Sequence, residues 1–196
     1  MKKIFTVKRI CRAGIIAALY VALTYAFGAI SFNGILQIRP AEALCILPLF
    51  FPEAVPALFV GCILSNLASP FIIYDVPIGS AATLIAALGT YFAGRLIKND
   101  IARFAVGGIF PVLVNAFIIP IIIVYLCGDL CGYTVATVAY WVNFGSLCAT
   151  EGLWVYALGG ILYFTISAMR KKGVSVFLDE ETPKSKDKKD DTKQQI

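Results

Sequence analysis

The sequence predicts an all-α integral membrane protein with six transmembrane helices. Of its 196 residues, 59% are hydrophobic and only 15% are charged. A soluble domain is about a quarter charged, so a soluble globular enzyme is excluded. Apolar stretches of near-membrane length recur along the chain, and Lys and Arg gather in every second segment between them.

A spanning helix needs roughly 20 mostly apolar residues. Charge-free stretches cover residues 13–30, 54–74, 78–94, 104–128 and 152–169. A shorter run over 43–52 is interrupted by Pro48 and is too short to span alone. With 39–43 it would cross obliquely or as a broken helix. The expected spans are about 13–30, 40–52, 54–72, 78–96, 104–127 and 143–169. The first is longer than a signal-peptide core, no Ala-x-Ala site closes it before a soluble domain, and more spans follow directly, so it is expected to stay.

Orientation follows from the cations. With six spans and a cytoplasmic N-terminus, eleven Lys and Arg residues of 1–172 lie inside and only Arg39 lies outside. Both termini are therefore expected in the cytoplasm, in a multi-pass protein of the cell membrane. Residues 1–172 form the membrane domain. Residues 173–196 are polar and of mixed charge, which predicts a disordered cytoplasmic tail.

The chain has no His, which removes His-ligated metals and Ser-His-Asp triads. No phosphate-binding GxxxxGK[ST] loop occurs. No cofactor, metal or nucleic acid is expected. The six Cys are scattered; Cys127 and Cys131, four apart, either pair or simply pack.

Residues 1–178 carry six acids: Glu42, Glu53, Asp75, Asp100, Asp129 and Glu151. Glu53 follows Pro52 at a helix start and reads as a dipole partner. Asp100 sits among Arg95, Lys98 and Arg103, and reads as solvated. Asp129 reads as a turn residue. Glu42 lies three residues after Arg39; if Pro40 opens a helix, the two side chains can pair. Asp75 stands just before a span, as a turn cap or a mouth residue. Glu151 interrupts the last apolar stretch, within FGSLCATEGLW. An ionisable residue there is expensive and faces the bundle interior, toward a partner helix or a ligand. Asn143 lies on the same broad helix face. Asn66 and Asn115 are further buried amides, as helix glue or cavity lining.

Small residues mark the first span. Gly14, Ala18, Ala22 and Ala26 recur every four residues, as do Ala13 and Ala17, which places each series on one face. Such a stripe lets another helix approach closely. That helix belongs either to this chain or to a separate membrane subunit.

The order of these features resembles the QueT family, substrate-binding S components of energy-coupling factor transporters. The segments that carry the resemblance are QIRPAEAL, PLFFPEAVPALFVGCILSN, YDVPIGSAATLIAA and PVLVNAFIIP, with a Glu embedded in the last span. It covers about residues 5–172 and is strongest from Ile38 to Asn66.

The resemblance implies an S-component-like bundle, uptake of a queuosine precursor (a deazaguanine base), and partners that hydrolyse ATP. Those partners are a transmembrane coupling subunit and two ATPases. It implies ligand capture on the outer side, followed by toppling in the membrane. It also implies that the Ala stripe docks on the coupling subunit.

A guanine-like edge presents adjacent N–H donors, which a carboxylate accepts as a fork. Glu151 is the first candidate, with Asp75 or Glu42 second. Trp141 or Phe144 would stack on the ring. Asn66, Asn115 and Asn143 would meet its polar atoms, and Arg39 would hold the capping loop by pairing with Glu42. The alternatives are an S component for another vitamin-like ligand, or a self-contained secondary transporter.

Overall fold

In a computed structural model of the chain, residues 6–32 and 37–174 are described. All described regular structure is helical. Helix α1 runs Val7–Phe27 and continues as the 3-10 turn Gly28–Phe32. A 3-10 helix follows at Pro40–Leu49, then α2 at Ala54–Asn66, α3 at Ile72–Leu96, α4 at Asp100–Leu126 and α5 at Ala136–Lys171. Four of these are long and apolar enough to cross a membrane: α1, α3, α4 and α5. The 3-10 helix and α2 are shorter.

Residues up to Tyr163 form one compact unit. The second begins at Phe164, and its described part is the end of α5 and a turn to Val174. The expected tail, apart from Gly173 and Val174, lies outside the described residues.

The local chemistry explains the boundaries. Gly28 adopts φ +49, which an L side chain rarely tolerates, and ends α1 with its N–H on Thr24 and Tyr25 carbonyls. Asn99 caps α4, accepting from the Ile101 and Ala102 amides at 3.0 and 3.4 Å. Wider π-type turns occur at Asp75–Gly79, Ile121–Leu126 and Trp154–Leu158. Pro77 lies inside the first and Pro120 just before the second; a proline has no N–H to give the helical ladder. The last helix begins at Ala136, well before the expected residue 143, because Tyr140, Trp141 and Asn143 continue the helical pattern outward.

The short apolar segment is the core of the first unit. Every residue of Pro40–Leu49 is buried. Small residues on the longer helices admit it: a Cβ on Gly94 would lie 3.0 Å from the Leu49 backbone, and one on Gly107 would lie 2.7 Å from the Leu49 side chain. Gly159 of α5 meets the Ala43 carbonyl in the same way. Close approach over small residues is how helices pack without a hydrophobic driving force between them. The segment is therefore not wound as an α-helix. It is a 3-10 rod enclosed by the other helices.

Candidate functional site

Buried polar side chains concentrate around this rod. Glu42 projects from it and is 1% exposed. Its Oε1 accepts the Tyr20 hydroxyl of α1 at 2.6 Å, and its Oε2 accepts the Cys45 thiol at 3.1 Å. Residues three apart eclipse one another on a 3-10 helix, which is why Cys45 reaches Glu42.

Glu151 projects from α5 and is 2% exposed. Its Oε2 accepts Asn115 Nδ2 of α4 at 3.1 Å. The rod that carries Glu42 packs against α5 in the turn that follows Glu151, at Trp154–Leu158. Two buried acids thus lie on segments that pack together, although their sequence positions span more than a hundred residues.

Toward the α2–α3 turn lies a second polar group. Asp75 is buried, accepts the Ser69 hydroxyl on Oδ2, and gives its backbone carbonyl to Asn66 Nδ2 at 2.8 Å. Asn66 also reaches Cys62 Sγ at 3.3 Å, which Thr83 Oγ1 approaches at 3.2 Å. Glu42, Asp75, Glu151, Asn115 and Arg39 are all buried within the first unit, and Asn115 bonds Glu151 directly.

Asn143 is fully buried one turn beyond Leu147. Its Nδ2 donates to the Ala139 carbonyl at 2.9 Å and lies 3.6 Å from Cys131 Sγ, while Oδ1 is buried without a partner. Gln37 Oε1 and Ser80 Oγ are buried without partners too. Sequence reasoning did not select Gln37, Ser80 or Tyr20, because one amide or hydroxyl in an apolar stretch carries no pattern.

Several expectations are corrected. Arg39 and Glu42 form no ion pair. Arg39 lies just outside the 3-10 helix, at φ −119 and ψ 83, and its Nε donates to the Ser31 carbonyl at 2.8 Å. Its guanidinium sits 4.9 Å from the Phe32 ring centroid. Glu53 stands at the start of α2 as expected, and in addition pairs with Arg12 at 2.6 Å. Cys127 and Cys131 are free thiols.

Trp141 is 57% exposed and stacks edge-on against Tyr140 and Phe144, at 5.3 and 5.5 Å. It points away from the Asn143–Glu151 face, because two helical residues differ by roughly 200°. Phe144 is half-buried and packs on Phe117 at 4.8 Å.

The small-residue stripe divides into two faces. Ala13 and Ala17 are half-buried, and the Ala17 carbonyl lies 3.2 Å from where a Cβ on Gly61 of α2 would sit. Ala18, Ala22 and Ala26 are exposed. An apolar groove of about 520 Å³ runs beside Ala13, Gly14, Ala17, Ala57 and Val60, with Glu53 at one end.

A family model described as QueT transporter matches residues 10–168. The chain belongs to the QueT transporter family. The match takes in the 3-10 rod, both buried carboxylates and the Ala stripe. As a QueT family member it is a multi-pass membrane transport protein rather than an enzyme. Neither a curated protein nor a solved structure matches the chain.

Proposed function

We propose that this QueT family member is the S component of an ATP-driven energy-coupling factor transporter, and that it captures a deazaguanine queuosine precursor. Six spans, including the short 3-10 rod and α2, with both termini in the cytoplasm, satisfy the cation distribution. The observation that carries the substrate reading is the burial of two carboxylates, Glu42 and Glu151, on segments that pack together, with the amide of Asn115 on Glu151.

Carboxylates accept hydrogen bonds and donate none when ionised. A ligand that fits between them must bring donors. The guanine edge supplies two adjacent N–H groups for one carboxylate, and Glu151 is the primary acceptor. Glu42 and Asp75 supply further acceptors, and suit a cationic substituent on the base. Asn66, Asn115 and Asn143 satisfy the carbonyl and ring nitrogens. Arg39, tied to the end of α1 through Ser31, holds the outer turn over the ligand. Phe144 provides a ring to stack on.

Transport follows by association. The exposed face of Ala18, Ala22 and Ala26, with the neighbouring apolar groove, docks on a coupling subunit that carries two ATPases. Hydrolysis there topples this chain in the bilayer and releases the ligand inside.

The test is to extract the protein in mild detergent, identify its co-purifying small molecule by mass spectrometry, and titrate the protein with 7-deazaguanine calorimetrically. A deazaguanine in the mass spectrum and saturable binding are expected. A flavin, thiamine or biotin would overturn the substrate. Uptake in vesicles that persists without any ATPase would overturn the S-component reading.

A further inference from the structure

Between the end of α1 and the α2–α3 turn lies a cavity of about 480 Å³, lined by Tyr25, Gly28, Phe32, Ala68, Ser69 and Pro70. We propose that this cavity is an entrance vestibule, in which a flat heteroaromatic ligand first stacks on Tyr25 and Phe32 before it moves past Ser69 to the buried carboxylates. The inference rests on the aromatic-ligand reading above and adds a second, transient site to it.

Size is the first argument. Small-molecule pockets run from roughly 300 to 1,000 Å³, so the cavity accommodates one bicyclic base. The second is the chemistry of its walls. Two aromatic rings and a proline ring flank it, and Gly28 adds no side chain: a Cβ there would meet nothing within 4 Å. Rings prefer offset or edge-on aromatic partners. Phe32 also carries the buried Arg39 guanidinium at 4.9 Å, which ties the vestibule wall to the residue that precedes the 3-10 rod.

Continuity is the third argument. Ser69 lines the cavity and donates to the Asp75 carboxylate, while its oxygen accepts the Phe71 amide at 3.0 Å. Ser69 thus sets the wall of an aromatic, mostly apolar chamber one hydrogen bond from the first buried acid. Capture by rings precedes selection by carboxylates.

A transit site alters how fast ligand enters and leaves, with little effect on the final equilibrium. The experiment uses the full chain in lipid nanodiscs and measures radiolabelled 7-deazaguanine by rapid filtration. For Tyr25→Ala combined with Phe32→Leu, association and dissociation should both slow by about tenfold, with Kd changed less than threefold. Tyr25→Phe keeps the ring and should retain the wild-type rates. Thermal melting confirms that each variant is folded, and Tyr25→Leu replaces Tyr25→Ala if the latter melts early.

Unchanged association in the folded double variant overturns the vestibule. So does a Kd that rises in step with the slower association, which would place the rings in the final site. A phospholipid found by native mass spectrometry and released by Tyr25→Ala would assign the cavity to lipid and overturn it as well. If the wild type binds no 7-deazaguanine, the functional reading fails first and the vestibule falls with it.

Discussion

Tyr20 donates its hydroxyl to Glu42 Oε1 at 2.6 Å, across 22 residues of sequence. This bond ties the first helix to the buried 3-10 rod and satisfies one oxygen of a carboxylate that is almost wholly buried, the other being served by the Cys45 thiol. Its removal should be felt by the whole unit. For Tyr20→Phe, the shape is kept and the donor lost, which costs about 1–3 kcal/mol for a buried acceptor left unpaired. Detergent-solubilised Tyr20→Phe should melt a few degrees lower than wild type; an unchanged melting temperature would show that Glu42 has another donor.

Glu151 is the carboxylate to alter first. A charge-assisted fork is stronger than a neutral one by about 1–2 kcal/mol. Glu151→Gln should weaken 7-deazaguanine binding by about tenfold or more, and Glu151→Ala further. Calorimetric titration measures both. Wild-type affinity in each variant would remove Glu151 from the site.

The Arg12–Glu53 pair links the first turns of α1 to the start of α2, with side chains 11% and 9% exposed. Breaking a buried pair by removing one partner costs about 3–5 kcal/mol, whereas replacing both is often neutral. Arg12→Met and Glu53→Leu should each destabilise the protein, and the double variant should recover most of the loss. Purely additive melting shifts would mean the pair is not coupled.

The two faces of the Ala stripe should separate in their effects. Leu at Ala18 and Ala22 leaves folding and ligand binding intact, but should reduce co-purification with a coupling subunit by about tenfold. Leu at Ala17 should lower the melting temperature, because that residue meets α2 beside Gly61. Equal co-purification of the Ala18 and Ala22 variants would exclude the exposed face as a dock.

Cys131 lies in the turn before α5, outside the long helices. Burial pushes its thiol above the usual range; the Asn143 hydrogen bond opposes this and Asp129 adds to it. A raised value means less thiolate at any pH below it. Maleimide labelling should be slow at neutral pH, rise about tenfold per pH unit, and level off above the ordinary thiol range. Intact mass showing a loss of two hydrogens, removed by reductant, would reveal a Cys127–Cys131 bond instead.

The placement of helices was legible because charge-free stretches and bilayer length leave few choices. Glu151 was legible for the same reason, as the acid with no loop to occupy. The partners of the acids were not. Glu53 reads locally as a helix-start residue, yet its partner Arg12 is 41 positions away. Arg39 and Glu42 look like a pair only if the helix that Pro40 opens includes Arg39, but Arg39 keeps a non-helical backbone just outside it and its guanidinium goes to Ser31 and Phe32. Trp141 and Asn143 both fall in one apolar-polar stretch, and only packing decides which of them faces inward. Winding itself depends on what encloses the segment, and Gly94, Gly107 and Gly159 come from three distant places in the chain.

The 3-10 rod bears on how a membrane protein meets the thickness of its solvent. Ten residues rise about 15 Å as an α-helix and about 20 Å as a 3-10 helix. Tighter winding thus extends Pro40–Leu49 by about 5 Å without adding a residue. Here reach comes from pitch instead of chain length, and a carboxylate travels with it.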